Sequence, residues 1–284
     1  MPVVKATVHG AISIVNAIAT GKGSTLGISK NIDVVIETSQ GTGITTETNG
    51  KLFRSRLINR VVEKIVPKKE LQKTKLKILV DSEVPTGYGL KSSSAISSAV
   101  ALGCAKLFKP SMNDFDILRA GVDASIETKV SLTGAYDDAC ACYYGGFVTT
   151  DNYKRKIIHS EKCLDDISAV IFLPHARKRG NIRKLRTQSD VFEQAWNLAK
   201  KSDYWNAMIL NGFATSALLN SDPKIISKLI EKGALGASVS GNGPSIAAVA
   251  KNNNLTDIKK VFSTLEGTTT VSKINNKKAE VHEL

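Results

Sequence analysis

A proline- and glycine-rich turn leads directly into a serine-rich segment near residue 90, and this junction constrains the chain most. Pro85, Gly87 and Gly89 shape the turn, and three serines open the segment that follows, residues 92–94. Glycines let backbone N–H groups approach an anion, and a helix N-terminus favours negative charge. The junction therefore predicts a phosphate-binding loop, although a plain turn followed by a helix cap would also explain these residues taken alone.

The sequence lacks the motifs of several other common kinds of site. The loop departs from GxxxxGK[ST] and from the dinucleotide-binding GxGxxG, and no GxSxG elbow for serine hydrolysis occurs. The four histidines are scattered without the spacing that a metal site needs. A phosphate-handling protein remains the interpretation that the motifs favour.

Hydrophobic periodicity predicts strands and helices in mixed order. Apolar runs at residues 3–8, 12–20 and 32–37 indicate strands, whereas apolar residues recur at helical spacing over 52–65. The later predicted helices are residues 92–108, 190–200, 204–219 and 255–265, with another that begins at Asp222–Pro223. This order predicts an α+β fold in two lobes. A polar, basic stretch after residue 150 suggests the division, with lobes at residues 1–153 and 154–284.

The composition limits the classes of partner and the kind of environment that we expect for this chain. The 284 residues carry 39 Lys and Arg against 26 Asp and Glu, a net charge of +13, and 42% are hydrophobic. A folded protein with a sizeable core is therefore expected, not a disordered one. The sequence contains no run of 18 apolar residues, so no membrane span is expected. The charge fits anionic small substrates; nucleic acid is disfavoured, because aromatics do not alternate with basic residues. Four unpatterned cysteines and an N-terminus without a signal-like segment predict a cytoplasmic protein.

Three segments resemble the motifs of the GHMP kinases, the superfamily of galactokinase, homoserine kinase, mevalonate kinase and phosphomevalonate kinase. Their phosphate loop reads P-x3-G-L-G-S-S-A-A, and residues 85–95 match it except that Lys91 replaces a glycine and Ser94 an alanine. Residues 10–17 occupy the place of the first motif, and residues 236–245 resemble the third, a glycine hairpin. Within the superfamily, residues 10–28 and 133–142 and the loop resemble the archaeal type of shikimate kinase.

The resemblance implies a fold, substrates and site residues. It implies a ribosomal-protein-S5-like N-terminal lobe and a ferredoxin-like C-terminal lobe, with ATP and Mg²⁺ at their junction and transfer to the 3-hydroxyl of shikimate. The residues implied at the nucleotide are Pro85, Gly87, Gly89, Leu90, Lys91, Ser92, Ser93, Ser94 and Ala95. Alternatives are another small-molecule kinase of the superfamily, such as homoserine kinase, or a non-catalytic ligand- or nucleic-acid-binding member.

Two acids match the homoserine kinase branch, where a glutamate precedes an acid and a Gly-Gly pair. On that match Glu127 and the hydroxyl of Ser93 hold Mg²⁺, and Asp137 is the acid at the acceptor hydroxyl, with its neighbour Asp138 as the alternative. Mevalonate kinases carry a lysine where Ala11 stands. Lys91 is then the candidate that supplies this charge, although a solvated lysine is the alternative.

The acceptor is expected to need a cation for its carboxylate. Arg177 and Arg179 follow a predicted strand end and are the candidates for a bidentate contact. Asn16, polar within an apolar run, is a candidate hydrogen-bonding partner, although a buried, satisfied asparagine explains it equally well. In the third motif, Ser240, Gly241 and Asn242 are the further residues predicted at the acceptor.

Overall fold

Two antiparallel-rich sheets organise the chain in a computed structural model that describes residues 2–176 and 180–284. The strands are β1 (Val3–Val15), β2 (Lys22–Gln40), β3 (Ile44–Thr48), β4 (Lys51–Phe53), β5 (Thr74–Ser82), β6 (Phe147–Asp151), β7 (Lys156–Glu161), β8 (Ile167–Pro174), β9 (Gly236–Val239), β10 (Ile246–Lys251), β11 (Gly267–Lys273) and β12 (Glu280–Glu283). The first sheet orders them β12-β1-β2-β5-β3-β4, with β6 on β2 and β7 on β6. The second sheet has the order β11-β8-β10-β9.

Helices cover the sheets. They are α1 (Arg56–Ile65), α2 (Lys68–Leu71), α3 (Ser92–Phe108), α4 (Asp114–Glu127), α5 (Tyr136–Tyr144), α6 (Ser189–Ala199), α7 (Tyr204–Leu218), α8 (Pro223–Glu231) and α9 (Leu255–Phe262). Of the helices within the described residues, none is long and apolar enough to cross a membrane. The mixed arrangement confirms the predicted α+β class.

Helix α3 is the centre of the first layer. It contacts β1 and β2 on one side and α1, α4 and α5 on the others. Its sequence is mostly serine and alanine, and 12 of its 17 residues are buried. Small side chains allow close approach of helix and sheet, so α3 holds the phosphate loop that precedes it against the end of β1.

Helix α7 joins the two layers. It packs against β9 of the second sheet and against β1 of the first. The buried side chain of Asn211 makes the link, because its Oδ1 accepts from the backbone N–H of Asn16 at 2.9 Å and its Nδ2 donates to Ser238 at 2.7 Å. The end of β1 is therefore fixed to both layers.

Some predicted boundaries are wrong. Strand β1 does not break near residue 10, because a bulge between His9 and Gly10 lets it continue to Val15, and the chain then turns where a strand was predicted. The helix predicted from residue 52 begins at Arg56, after the Ser55 side chain caps it, and Leu52 lies exposed in β4. Predicted helix 92–108 matches α3 at both ends.

Sheet pairing also bears on the proposed division at residue 153. Strand β7 pairs with β6, and β12 pairs with β1 at the edge of the first sheet. The first layer therefore includes residues 156–161 and 280–283, and the second sheet takes its first strand at Ile167. By strand pairing, the division at 153 falls within the β6–β7 hairpin.

Candidate active site

A cavity of about 390 Å³ opens where the phosphate loop, the end of β1, the start of α5 and the glycine hairpin meet. Among the residues predicted at the site, those that line it are Asn16, Gly87, Gly89, Lys91, Ser92, Ser93, Ser94, Asp137, Gly241 and Asn242. Asp138, the alternative acid, also lines it. The structure thus brings the three predicted motifs to one place.

Three residues of the phosphate loop that line the cavity have positive φ: Gly87, Gly89 and Lys91. Gly89 has φ +82°, and a Cβ on it would lie 2.0 Å from the carbonyl oxygen of Ser240, so only glycine fits under the hairpin. Lys91 has φ +66° and is the N-cap of α3 without a side-chain cap. The first turn of α3 therefore presents its positive end to the cavity, as an anion requires.

The ammonium of Lys91 is buried and held on two sides. Nζ donates to the hydroxyl of Ser13 at 2.7 Å and lies 2.9 Å from a carboxylate oxygen of Asp138. Only 6% of the lysine side chain is exposed. A buried charge is costly unless it is paired and hydrogen-bonded, and both partners are supplied here. The solvated lysine is therefore excluded.

Ser13 and Ser240 connect the motifs. The Oγ of Ser13 accepts from the backbone N–H of Gly241 at 2.9 Å, in addition to the bond from Lys91. The Oγ of Ser240 donates to the carbonyl of Gly89 at 2.9 Å and accepts from the N–H of Ser13. Ser240 is fully buried, so it supports the cavity wall from behind.

Asp137 is a buried acid that faces the cavity. Its carboxylate accepts from Nδ2 of Asn152 at 2.8 Å and lies 3.1 Å from the hydroxyl of Thr25. Burial, followed by the adjacent carboxylate of Asp138, raises the pKa of Asp137 to about 6, against an opposing effect of Lys91. A carboxyl group of this kind can accept a proton near neutral pH.

Asp138 is the more exposed of the two acids and is the ion-pair partner of Lys91. Its side chain is 16% exposed, and a carboxylate oxygen lies 3.1 Å from the hydroxyl of Thr25. Thr25 therefore lies between both acids. The choice of Asp137 over Asp138 stays a prediction, although burial makes their environments different.

Asn16 has a structural role at the rim of the cavity. Its Nδ2 donates to the carbonyl of Gly241 at 2.7 Å, and its Oδ1 accepts from the N–H of Ile18 at 2.9 Å. These bonds join the end of β1 to the glycine hairpin. Of the two interpretations of Asn16, the buried and satisfied asparagine accounts for its contacts.

Glu127 lies apart from these residues, at the last position of α4. Its carboxylate is exposed and paired with Arg60 and with Lys64, 2.6 Å away, on α1. Hydrogen bonds from Lys64 and then from Arg60 lower the pKa of Glu127. The structure does not bring Glu127 to the cavity, because these cations hold the side chain on the outer surface.

The remaining predicted residues divide into two groups. Pro85 is half-buried in the loop, whereas Leu90 and Ala95 are in the hydrophobic core beneath it. They shape the loop from behind. Arg177 and Arg179 lie outside the described residues. Lys129, at the rim beside residues 130–133, is a cavity-lining cation that sequence reasoning missed.

Sequence reasoning also missed the polar groups around the acids. Ser13 lay inside the first motif, yet it has no charge or special spacing to single it out. Thr25, although it lies within residues 10–28, and Asn152 carry no charge and act only through hydrogen bonds that the fold creates. Only contacts in three dimensions reveal them.

The comparisons with known proteins agree with this geometry. Residues 56–146 match the GHMP kinases N terminal domain, and residues 193–265 match the GHMP kinases C terminal region. The chain belongs to the GHMP kinase family. The predicted family resemblance is confirmed.

The chain is also similar to individual curated proteins of one kind. A shikimate kinase of Methanobrevibacter smithii is 33% identical over 277 residues, 94% of this chain and 95% of the relative. A shikimate kinase of Methanosarcina acetivorans is 35% identical over 283 residues, 96% and 95% of the two chains. The similarity therefore extends over nearly the whole of both proteins.

Solved structures confirm the fold. The crystal structure of homoserine kinase from Cytophaga hutchinsonii superimposes with a TM-score of 0.77 at 18% identity, and covers 99% of this chain and 97% of that one. The predicted two-lobed GHMP kinase fold is thus confirmed.

The raised pKa of Asp137 predicts a pH-dependent stability. Aspartate titrates at 3.8 ordinarily, so between about pH 4 and pH 6 the folded protein keeps a proton that the unfolded chain has released. The free energy of unfolding contributed by this group therefore falls as the pH rises through that window. We expect Asp137→Asn to be more stable than the native protein at pH 7 by at least about 1 kcal/mol, because one pKa unit corresponds to about 1.4 kcal/mol.

Urea unfolding at pH 7 and pH 4 measures the effect. The advantage of Asp137→Asn should disappear at pH 4, whereas Asp165→Asn, an exposed substitution, should stay within about 0.5 kcal/mol at both. A native protein that is the more stable of the two at pH 7 would show that the Asp137 carboxylate is well solvated or fully compensated.

Proposed function

We propose that this protein is a shikimate kinase, which transfers the γ-phosphoryl group of ATP to the 3-hydroxyl of shikimate in aromatic biosynthesis. The observation that carries the proposal is the single cavity that holds a phosphate loop, a buried ammonium and a buried acid together. The similarity to curated shikimate kinases over nearly the whole chain supports the choice of acceptor. Four free, buried cysteines suit the cytoplasmic location that we also propose.

The phosphate loop and the start of α3 are proposed to bind the phosphates of ATP. Backbone N–H groups at an uncapped helix start attract negative charge, and the two glycines of the loop leave the backbone accessible. The hydroxyls of Ser92, Ser93 and Ser94 follow in the same turn. This arrangement orients the transferred group at the inner wall of the cavity, next to the two acids.

Mg²⁺ fits the oxygen groups present, and we propose Ser93 and Asp138 as the residues that would hold it. A hydroxyl and a carboxylate face the same cavity, and Mg²⁺ characteristically takes one or two such groups together with phosphate oxygens. The described residues contain no cluster of three or more His, Cys, Asp or Glu, so an all-protein cage is not the type of site. When bound, the ion neutralises phosphate charge. The original assignment of Glu127 would require its side chain to leave Arg60 and Lys64.

Two residues are proposed to act at the reacting atoms. Asp137 accepts the proton of the acceptor hydroxyl as its oxygen bonds to the γ-phosphorus, and the bond from phosphorus to the bridging oxygen of ADP breaks. Lys91 supplies positive charge to the transferred group, in place of the lysine that Ala11 replaces. Its position between the loop and Asp138 allows this role without a change of fold.

Recognition of the acceptor requires a cation for its carboxylate. Arg177 and Arg179 remain the proposed partners, since a guanidinium binds a carboxylate through two parallel hydrogen bonds. Lys129 at the cavity rim is a second source of positive charge. Both suit an anionic acceptor, which shikimate is and a neutral sugar is not.

The first test is the choice of acceptor. In a coupled assay of ADP release with MgATP, shikimate should stimulate turnover at least about 100-fold more than homoserine or mevalonate, because a site built to bind particular hydroxyls rejects acceptors that leave its polar groups unpaired. Galactose serves as a neutral control. Stimulation by homoserine or mevalonate above that by shikimate would retain a kinase and reject the proposed acceptor.

The second test separates the two acids. Asp137→Asn should lower kcat about 100-fold or more, since general base catalysis contributes about 10²–10⁴. Asp138→Asn should mainly raise the KM for MgATP, because it removes a metal-ligand candidate and the partner of Lys91. Near-normal kcat in Asp137→Asn, together with a large loss in Asp138→Asn, would reverse the assignment.

A further inference from the structure

Asn152 directly follows β6 and is buried beside Asp137, outside the residues that the phosphate loop and the glycine hairpin supply. Only 2% of it is exposed. Its Nδ2 donates to the Asp137 carboxylate at 2.8 Å and lies 3.3 Å from the hydroxyl of Thr133. Its Oδ1 accepts from the N–H of Asp137 at 3.0 Å and from the hydroxyl of Thr150 at 2.6 Å. The amide thus uses both of its donors and both of its acceptor sites.

Two of these four bonds go to the same residue, and this is the unusual feature. Asn152 binds the backbone and the carboxylate of Asp137 at once, so it fixes both the start of α5 and the rotamer of the acid that the helix carries. Asn152 is itself held in place, because Trp196 donates from Nε1 to the carbonyl of Thr150, two residues earlier, at 3.0 Å.

The other side of the carboxylate is enclosed by β2. The hydroxyl of Thr25 lies 3.1 Å from its Oδ2, and Gly23 leaves the space that this oxygen occupies. A Cβ at position 23 would lie 2.1 Å from Oδ2, which no real contact allows. Gly23 belongs to the Gly-Lys-Gly run of residues 21–23. Phosphate binding by the loop assigns no role to this run.

We propose that Asn152 is a positioning residue, which together with the space at Gly23 fixes the carboxylate of Asp137 in the orientation that accepts the proton of the acceptor hydroxyl. The inference rests on the proposed function, because it requires that Asp137 is the base. A carboxylate held by a donor on one oxygen and a hydroxyl on the other has one rotamer, and proton transfer depends on such placement. Without this restraint, repulsion from Asp138 would favour other rotamers.

Two variants disturb the carboxylate in different ways. Asn152→Asp keeps the volume and the acceptor oxygen but removes the amide donor and adds a third acidic group. Gly23→Ala changes no charge and no hydrogen-bonding group. Its Cβ displaces the carboxylate by contact and also lies 2.9 Å from the Cβ of Ala17. Asn275→Ala is the control, since Asn275 is equally buried and hydrogen-bonded to Lys277, in the segment before β12.

The measurements are kcat and the KM for MgATP with shikimate, alongside the melting temperature of each variant. For Asn152→Asp we expect kcat to fall about 100-fold with the KM for MgATP within about threefold, because the carboxylate of Asp137 loses the donor that fixes its rotamer. For Gly23→Ala we expect kcat to fall about 100-fold with the KM for MgATP within about threefold, the loss typical of a misplacement near 1 Å.

A merely structural Asn152 gives a different result. Asn152→Asp would then resemble Asn275→Ala, with a lower melting temperature but kcat within about twofold of native. That outcome overturns the proposal, as does a Gly23→Ala protein with native kcat. If Asn152→Asp does not fold, Gly23→Ala alone decides.

Asp137→Asn measured in parallel separates the assignment of Asp137 as the base from the positioning role of Asn152. If Asp137→Asn keeps native kcat, the assignment of the base fails, and this inference fails with it. If Asp137→Asn loses activity while Asn152→Asp and Gly23→Ala retain native kcat, only the positioning role is wrong.

Discussion

A buried ammonium group holds the site together. Lys91 is withdrawn from water, and its Nζ contacts the hydroxyl of Ser13 and the carboxylate of Asp138. Removal of one partner from a buried ion pair costs about 3–5 kcal/mol, because the other charge is left uncompensated. Through Ser13 the same contact reaches the N–H of Gly241 in the hairpin. Segments from β1, the phosphate loop, α5 and the second layer therefore meet at one charge.

The ion pair also explains the residue that departs from the family motif. The glycine of the usual phosphate loop is replaced here by Lys91, yet the backbone keeps the left-handed conformation that glycine adopts freely. A side chain in this conformation costs about 1–2 kcal/mol. The chain accepts that strain at the place where the ammonium can stand beside both acids, and strain of this kind is typical of functional sites.

The site is closely balanced in charge. Asp137 and Asp138 are adjacent acids, and Lys91 pairs with the more exposed one. The buried acid is left to hydrogen bonds from neutral groups, which Asn152 and Thr25 supply. This division gives two neighbouring carboxyl groups different environments, which agrees with the proton-accepting role that we propose for Asp137 and the cation-binding role that we propose for Asp138.

How much of the fold is predictable from the sequence depends on how far apart along the chain the interacting residues lie. Local signals located α3 and its loop, because glycine, proline and serine act through the backbone at their own positions. The capped start of α8 at Asp222 was predictable for the same reason. Helix α5 was not predicted: it begins after Ala135 in left-handed conformation without a capping side chain. The edge pairing of β12 with β1 joins opposite ends of the chain and leaves no local pattern.

Within the site, the charged residues were easier to predict than the neutral residues that hydrogen-bond to them. Lys91 and Asp137 could be selected because charged residues in motif positions are few. Asn152 could not be selected from the sequence, because a neutral amide gains its importance only through the hydrogen bonds that folding creates. Glu127 shows the converse limit, because its spacing from Asp137 fits the family pattern while its side chain turns to cations on α1.

Lys91→Gly tests most directly whether Lys91 supplies charge to the transferred phosphoryl group, as we propose. This change restores the glycine of the family loop and removes backbone strain of about 1–2 kcal/mol, which offsets part of the cost of leaving Asp138 without its partner. The melting temperature of the variant is measured alongside, so that a loss of fold is told apart from a loss of catalysis. Steady-state kinetics with MgATP and shikimate should show kcat lowered by about 10²–10³, the loss typical when one group that stabilises transition-state charge is removed. A Lys91→Gly protein with kcat within twofold of native would contradict the claim, because the ammonium would then serve structure alone.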